Sequence, residues 1–77
     1  MTDRETIARN ILRIVSERPM HLSSITCLWG RVRKELAADI ARSTFASLLH
    51  DMAAKDRLKR RAVWVRTKLT WHFGVLP

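Results

Sequence analysis

The sequence predicts a mainly α-helical chain that ends in a small β-hairpin, an α+β fold forming a single domain over residues 1–77. Three observations carry that prediction. Apolar residues recur at helical spacing in three successive segments between Thr2 and Ala54. Beyond Lys55 the period shortens to alternation, in segments rich in Val, Trp, Thr and Phe. A chain of 77 residues with 47% hydrophobic content has enough apolar material for one modest core and too much for wholesale disorder.

The first segment, "TDRETIARNILRIVSER", is predicted as helix α1. Thr2 followed three positions later by Glu5 reads as a capping box, in which each side chain satisfies a backbone donor at the helix start. Ile7, Ala8, Ile11, Leu12, Ile14 and Val15 then define an inward stripe, with Arg4, Arg9 and Arg13 turned away. Pro19 closes the segment, because the residue before a proline disfavours helical geometry. "MHL", Met20 to Leu22, is either an edge strand, an optional β1, or plain loop.

Ser23 or Ser24 is placed to cap a second helix, α2, whose residues Ile25, Leu28, Trp29, Val32 and Leu36 fall on one face. Gly30 interrupts it at a cost of about 1 kcal/mol relative to alanine. Its missing side chain is expected to let a neighbouring helix approach. Arg31, Arg33 and Lys34 occupy the polar side. After the short step "AADIA", a third helix, α3, starts at Arg42 or Ser43 and turns Phe45, Leu48, Leu49 and Met52 inward. Ser43, Ala46, Ser47, His50 and Ala54 form its opposite face. "LKRRAVWV" and "LTWHF" are the two predicted strands, β2 and β3, with "RTK" between them. On the second strand Leu69, Trp71 and Phe73 share one face, Thr70 and His72 the other. Trp29 and Trp71 are assigned to packing. Trp64 is assigned to the core or the hairpin, the alternative being a stack on a base or ribose.

Charge is the strongest compositional feature: 15 Lys and Arg against 7 Asp and Glu, a net charge of +8. Its placement is uneven. Residues 1–30 contain four Arg and three acids, whereas residues 55–68 contain seven basic residues and one acid. A cationic cluster of that kind suits a surface facing a polyanion.

Other function classes find little support. The longest apolar run, "AVWV", falls far short of the roughly 20 residues a membrane helix needs. "MTDRETIARN" has no apolar signal core, so a cytoplasmic, nucleoid-associated location is expected. The single cysteine, Cys27, is expected to be a small buried hydrophobe. His21, Cys27, His50 and His72 lack the close pairing of a metal site, so no metal or other cofactor is expected. No nucleophile with its base and no glycine-rich phosphate loop is evident, so no enzymatic activity is expected either.

At residue level, "IARSTFASLLHDMAAKDRLKRR" resembles the turn, recognition helix and first wing strand of the winged helix-turn-helix superfamily. The matching features are Ile40 in the turn, "RST" opening the helix, Phe45, Leu48, Leu49 and Met52 inward, and Leu58 leading into the strand. The element order α1-(β1)-α2-α3-β2-wing-β3 extends the likeness over nearly the whole chain. The resemblance implies binding to double-stranded DNA, with α3 in the major groove and the basic wing on adjacent phosphates. It assigns Arg42, Ser43, Ala46, Ser47, His50 and Lys55 to the helix side of that contact, and Lys59, Arg60, Arg61, Arg66 and Lys68 to the wing. The helix face is nearly neutral and lacks the strongest base-reading side chains, so most affinity is expected from the wing. A protein-interaction module of the same fold is the main alternative, favoured by that bland helix and by the apolar tail "FGVLP". RNA or single-strand binding comes next. A homodimer would have to use α1 or the C-terminal segment.

Overall fold

The computed structural model describes residues 3–75, and the Thr2 half of the expected capping box and the last two residues of "FGVLP" lie outside them. The element order is α1 (Arg4–Ser16), β1 (Ser23–Ser24), α2 (Ile25–Leu36), α3 (Arg42–Ala54), β2 (Lys59–Val65) and β3 (Lys68–Gly74). Three helices pack beside a three-stranded antiparallel sheet of order β1-β3-β2. The cap of α1 is Asp3, whose Oδ1 accepts from the Thr6 backbone N–H at 2.7 Å. Glu5 faces elsewhere and pairs with Arg57.

The core draws on every helix. Ile7, Ala8, Ile11, Ile14 and Val15 of α1 meet Leu28 and Val32 of α2 and Phe45, Leu48, Leu49 and Met52 of α3, with Ile40, Leu58 and Phe73 closing the ends. Asn10 is the buried polar exception; its Nδ2 donates to Glu35 across the α1–α2 contact. Ile40, in the step before α3, and Phe45, in its first turn, are both buried, and the Trp29 indole Nε1 donates to the Ile40 carbonyl at 2.7 Å. That bond ties α2 to the step before α3, so the angle between the two helices is fixed by a hydrogen bond as well as by packing.

Of the two readings left open for "MHL", loop is the one found, and the optional β1 is formed by the next two residues, Ser23 and Ser24, the latter also capping α2 through its Oγ. Three expectations are corrected. A Cβ on Gly30 would meet nothing within 4 Å, so no helix approaches there. Cys27 is exposed, because it precedes the buried Leu28 by one residue, about 100° around the helix. Trp64 is 69% exposed, because the hairpin runs out past the helices that bury its base.

Gly74 is the glycine whose missing side chain matters. A Cβ there would stand 2.6 Å from the His21 carbonyl oxygen and 2.8 Å from Leu22 Cδ2. The loop before β1 therefore lies directly against the end of β3. Met20 reinforces the contact by donating its N–H to the Val75 carbonyl.

Four non-glycine residues in the connections have positive φ, Met20, Ala37, Asp56 and Arg66, and two of them decide how an element ends or turns. Ala37 ends α2 in the left-handed region at φ 49°, ψ 41°. Arg66 has φ 60° and starts a two-residue loop, Arg66–Thr67, closed by the Val65–Lys68 pair. Lys68 thus belongs to β3 rather than to the turn. Positive φ at the first loop residue alone matches a type II′ turn, where glycine is the usual occupant. Ala37→Gly, at an exposed site, is expected to stabilise the fold by about 1 kcal/mol, read as a raised denaturation midpoint. An unchanged or lower midpoint would contradict the strain assigned to Ala37.

Candidate nucleic-acid interface

The basic residues fall into two groups once their partners are identified. In the helical body, Arg31 bonds both Glu17 and Glu35, and Arg13 reaches the same two carboxylates, cross-linking α1 to α2. Arg33 lies 3.7 Å from Asp39 and over the Trp29 ring, with its guanidinium carbon 4.7 Å from the ring centroid. Arg57 reaches back to Glu5 through both terminal nitrogens, at 3.3 and 3.0 Å. Lys55 pairs with Asp51 at 3.2 Å, and Arg4 approaches the same carboxylate. These cations are held by acids in the protein's own structure.

The hairpin cations are not. Among the described residues, Lys59, Arg60, Arg61, Arg66 and Lys68 have no carboxylate within 4 Å, and neither does Arg42. The sequence accounts for this directly: after Asp56 the chain contains no acid. Strand alternation then divides the group. The register Arg60–Phe73, Arg61–His72 and Val65–Lys68 sets Lys59, Arg61 and Lys68 on one face of the sheet and Arg60 on the other, with Arg66 at the tip.

The predicted reading helix begins at Arg42, after Ala41, which makes no side-chain cap. The Arg42 guanidinium donates to Thr26 Oγ1 at 3.2 Å. It also forms a wall of an open groove of about 290 Å³, with Ser24, Ile25 and Thr26 beside it and Lys68 to Trp71 opposite. Arg42 and Lys68, distant in sequence, thereby line one groove. Ser43 and Ser47 are exposed on α3, and Ala46 is half-buried.

His50 is placed differently. Its ring meets Phe73 edge-on at 5.1 Å and Trp71 at 5.6 Å between centroids. Arg60 Nη1 donates to His50 Nδ1 at 2.7 Å, so Nδ1 is the accepting nitrogen of a neutral imidazole. Partial burial, and secondarily the Arg60 charge, hold its pKa below the ordinary 6.5. Arg60 in turn lies over Trp71, 5.1 Å from its centroid. His50 therefore joins α3 to the hairpin, with its side chain turned toward the sheet. Sequence reading missed this junction because nothing in the spacing of His50, Arg60 and Trp71 shows that strand and helix converge there.

The surroundings of Asp3, Glu5, Glu17, His50 and Asp51 all lower their pKa values, so stability should fall on acidification. A depressed His50 pKa contributes stability that is complete above 6.5 and declines as pH drops through the folded-state value. Glu5, Glu17 and Asp51, lowered mainly by hydrogen bonds from Arg57, Arg31 and Lys55, add a second decline below the ordinary carboxylate values of 4.5 and 3.8. Melting temperature measured against pH should show both steps, and His50→Gln should remove only the first. Retention of the first step in that variant would refute its assignment to His50.

No helix among the described residues is long and apolar enough to cross a membrane. No protein-family model, curated protein or solved structure matches the chain.

Proposed function

We propose that the protein is a winged helix-turn-helix domain that binds double-stranded DNA as a small transcriptional regulator of the cytoplasm. In this reading α3 enters the major groove, about 12 Å wide, and the hairpin is the wing that rests on flanking phosphates. The supporting observation is a contrast in charge pairing: Arg13, Arg31, Arg33 and Arg57 outside the hairpin are bound to acids, while none of the five hairpin cations has a carboxylate within 4 Å among the described residues. A wing so equipped attracts a polyanion through exposed charge that no acid of its own neutralises.

The helix contributes less. Ser43, Ala46 and Ser47 offer hydroxyls for base edges and a methyl for thymine, and Arg42 a phosphate contact. With His50 turned to the sheet and Lys55 paired to Asp51, base selectivity from α3 is modest and the wing supplies most of the affinity.

The test is the affinity for a short blunt duplex at a series of salt concentrations. Four to six phosphate contacts would give log K against log salt a slope of about −3.6 to −5.4. Absence of duplex binding at low salt would rule the proposal out. One observation favours a second reading, a winged-helix module that docks a protein: Trp64, Val65 and Leu69 are large apolar residues left in solvent on the hairpin.

A further inference from the structure

We propose that the outer part of the hairpin is a stacking platform for unpaired nucleobases, so that the preferred ligand is a duplex that continues into a single strand. This rests on the DNA-binding reading and specifies which DNA. The register pairs Ala62 with Trp71 and Trp64 with Leu69, so these four side chains project from one face of the hairpin. Exposure along that face rises outward: Phe73 is 0% exposed, Trp71 39%, Leu69 51% and Trp64 69%. A contiguous apolar patch on so small a surface marks a binding site.

The two indoles are not equivalent. Trp71 is held by the His50 edge on one side and by Arg60 on another, and it enters any contact already oriented. Trp64 lies diagonally across the strand pair from it and makes no aromatic contact. Diagonal neighbours on a sheet stand about 7–8 Å apart. That is close to two base-stacking intervals of about 3.4 Å, room for one flat base between two rings.

The chemistry around the patch selects the occupant. Arg60 shares this face and Arg66 stands at its tip, while Lys59, Arg61 and Lys68 lie on the opposite face of the same two strands, and the hairpin contains no acid. A second copy of the chain would bring like charges together. A bilayer would have to accept Arg66 and Lys68 at the tip before reaching Trp64, at high cost. Single-stranded nucleic acid matches both features at once, with phosphates for the cations and flat base faces for the indoles. A blunt duplex offers no such faces, because its bases are stacked on one another.

The experiment compares a blunt duplex with the same duplex extended by a single-stranded thymidine tail, for the wild type, Trp64→Ala and Trp64→Phe. The tailed duplex should bind more tightly than the blunt one. Trp64→Ala should lose about 5- to 150-fold on the tailed DNA and less than about 2-fold on the blunt DNA, with Trp64→Phe retaining most of the affinity. Addition of an oligothymidine should quench the tryptophan emission of the wild type and have much less effect on Trp64→Ala. Equal affinity for the two DNAs, or an equal loss on both, would overturn the platform and leave duplex binding intact. Tail binding with no blunt-duplex binding would instead remove the major-groove reading and keep the platform. Trp64-dependent binding to phosphatidylglycerol vesicles or to a polyglutamate peptide, without a preference for the tail, would overturn the choice of ligand.

Discussion

Phe73→Ala is expected to destabilise the protein by about 3–5 kcal/mol, the largest effect of any single substitution proposed for this chain. Phe73 is fully buried, pairs with Ser23 on one side and Arg60 on the other, and meets the His50 ring edge-on. It is the buried apolar residue of the central strand, and it touches α3 through the His50 ring. Removing the ring leaves a cavity that neighbouring backbone cannot fill, because Gly74 is already wedged against His21 and Leu22. The total stability of a 77-residue domain is about 4–12 kcal/mol, so the variant would be marginal at room temperature. Urea denaturation measures it. Trp64→Ala, further out on the same face, should fall within about 0.5 kcal/mol of the wild type. Similar losses from the two substitutions would mean that the hairpin does not dock through its base.

Combined replacement of Arg61, Arg66 and Lys68 by alanine is expected to have the largest effect on binding. None of the three has an acidic partner among the described residues, and none makes the Trp71 and His50 contacts that give Arg60 a structural role. If each neutralises one phosphate, their removal makes the salt slope shallower by about 2.7. At 0.1 M salt each unit of slope is worth tenfold, so duplex affinity should fall by roughly several hundredfold. Thermal stability should remain close to that of the wild type, because no internal contact is lost. A loss of less than about tenfold would show that the wing does not hold the backbone.

The helices were legible in the sequence because each carries a continuous apolar stripe, and Phe45, Leu48, Leu49 and Met52 are buried as that periodicity requires. The hairpin was legible from its change of period, although its turn was placed one residue too long. Arg66 takes positive φ without the glycine or asparagine that normally marks such a turn. What the sequence could not show was pairing between distant residues. Arg57 and Lys55 count as wing cations in a linear tally, yet Glu5 and Asp51 hold them. Arg31 and Arg33 read only as the polar side of α2, yet Glu17, Glu35 and Asp39 engage them. His50 was legible as a polar residue on the outer face of α3, but its turn toward Trp71 and Phe73 depends on where β3 crosses the helix. The exposure of Trp64 was equally hidden, since strand alternation fixes which face a side chain occupies and not how far the helices extend beneath it.

The central claim is that the placement of the charge, more than its amount, holds the polyanion. The most direct test compares two variants that both reduce the net charge from +8 to +5. One replaces Arg61, Arg66 and Lys68; the other replaces Arg9, Arg18 and Lys34, which are equally free of acids among the described residues but lie on the helical body and the loop after α1. Duplex affinity for each, measured against salt, should give a slope shallower by about 2.7 for the hairpin variant and nearly unchanged for the body variant. Equal changes in the two slopes would contradict the claim.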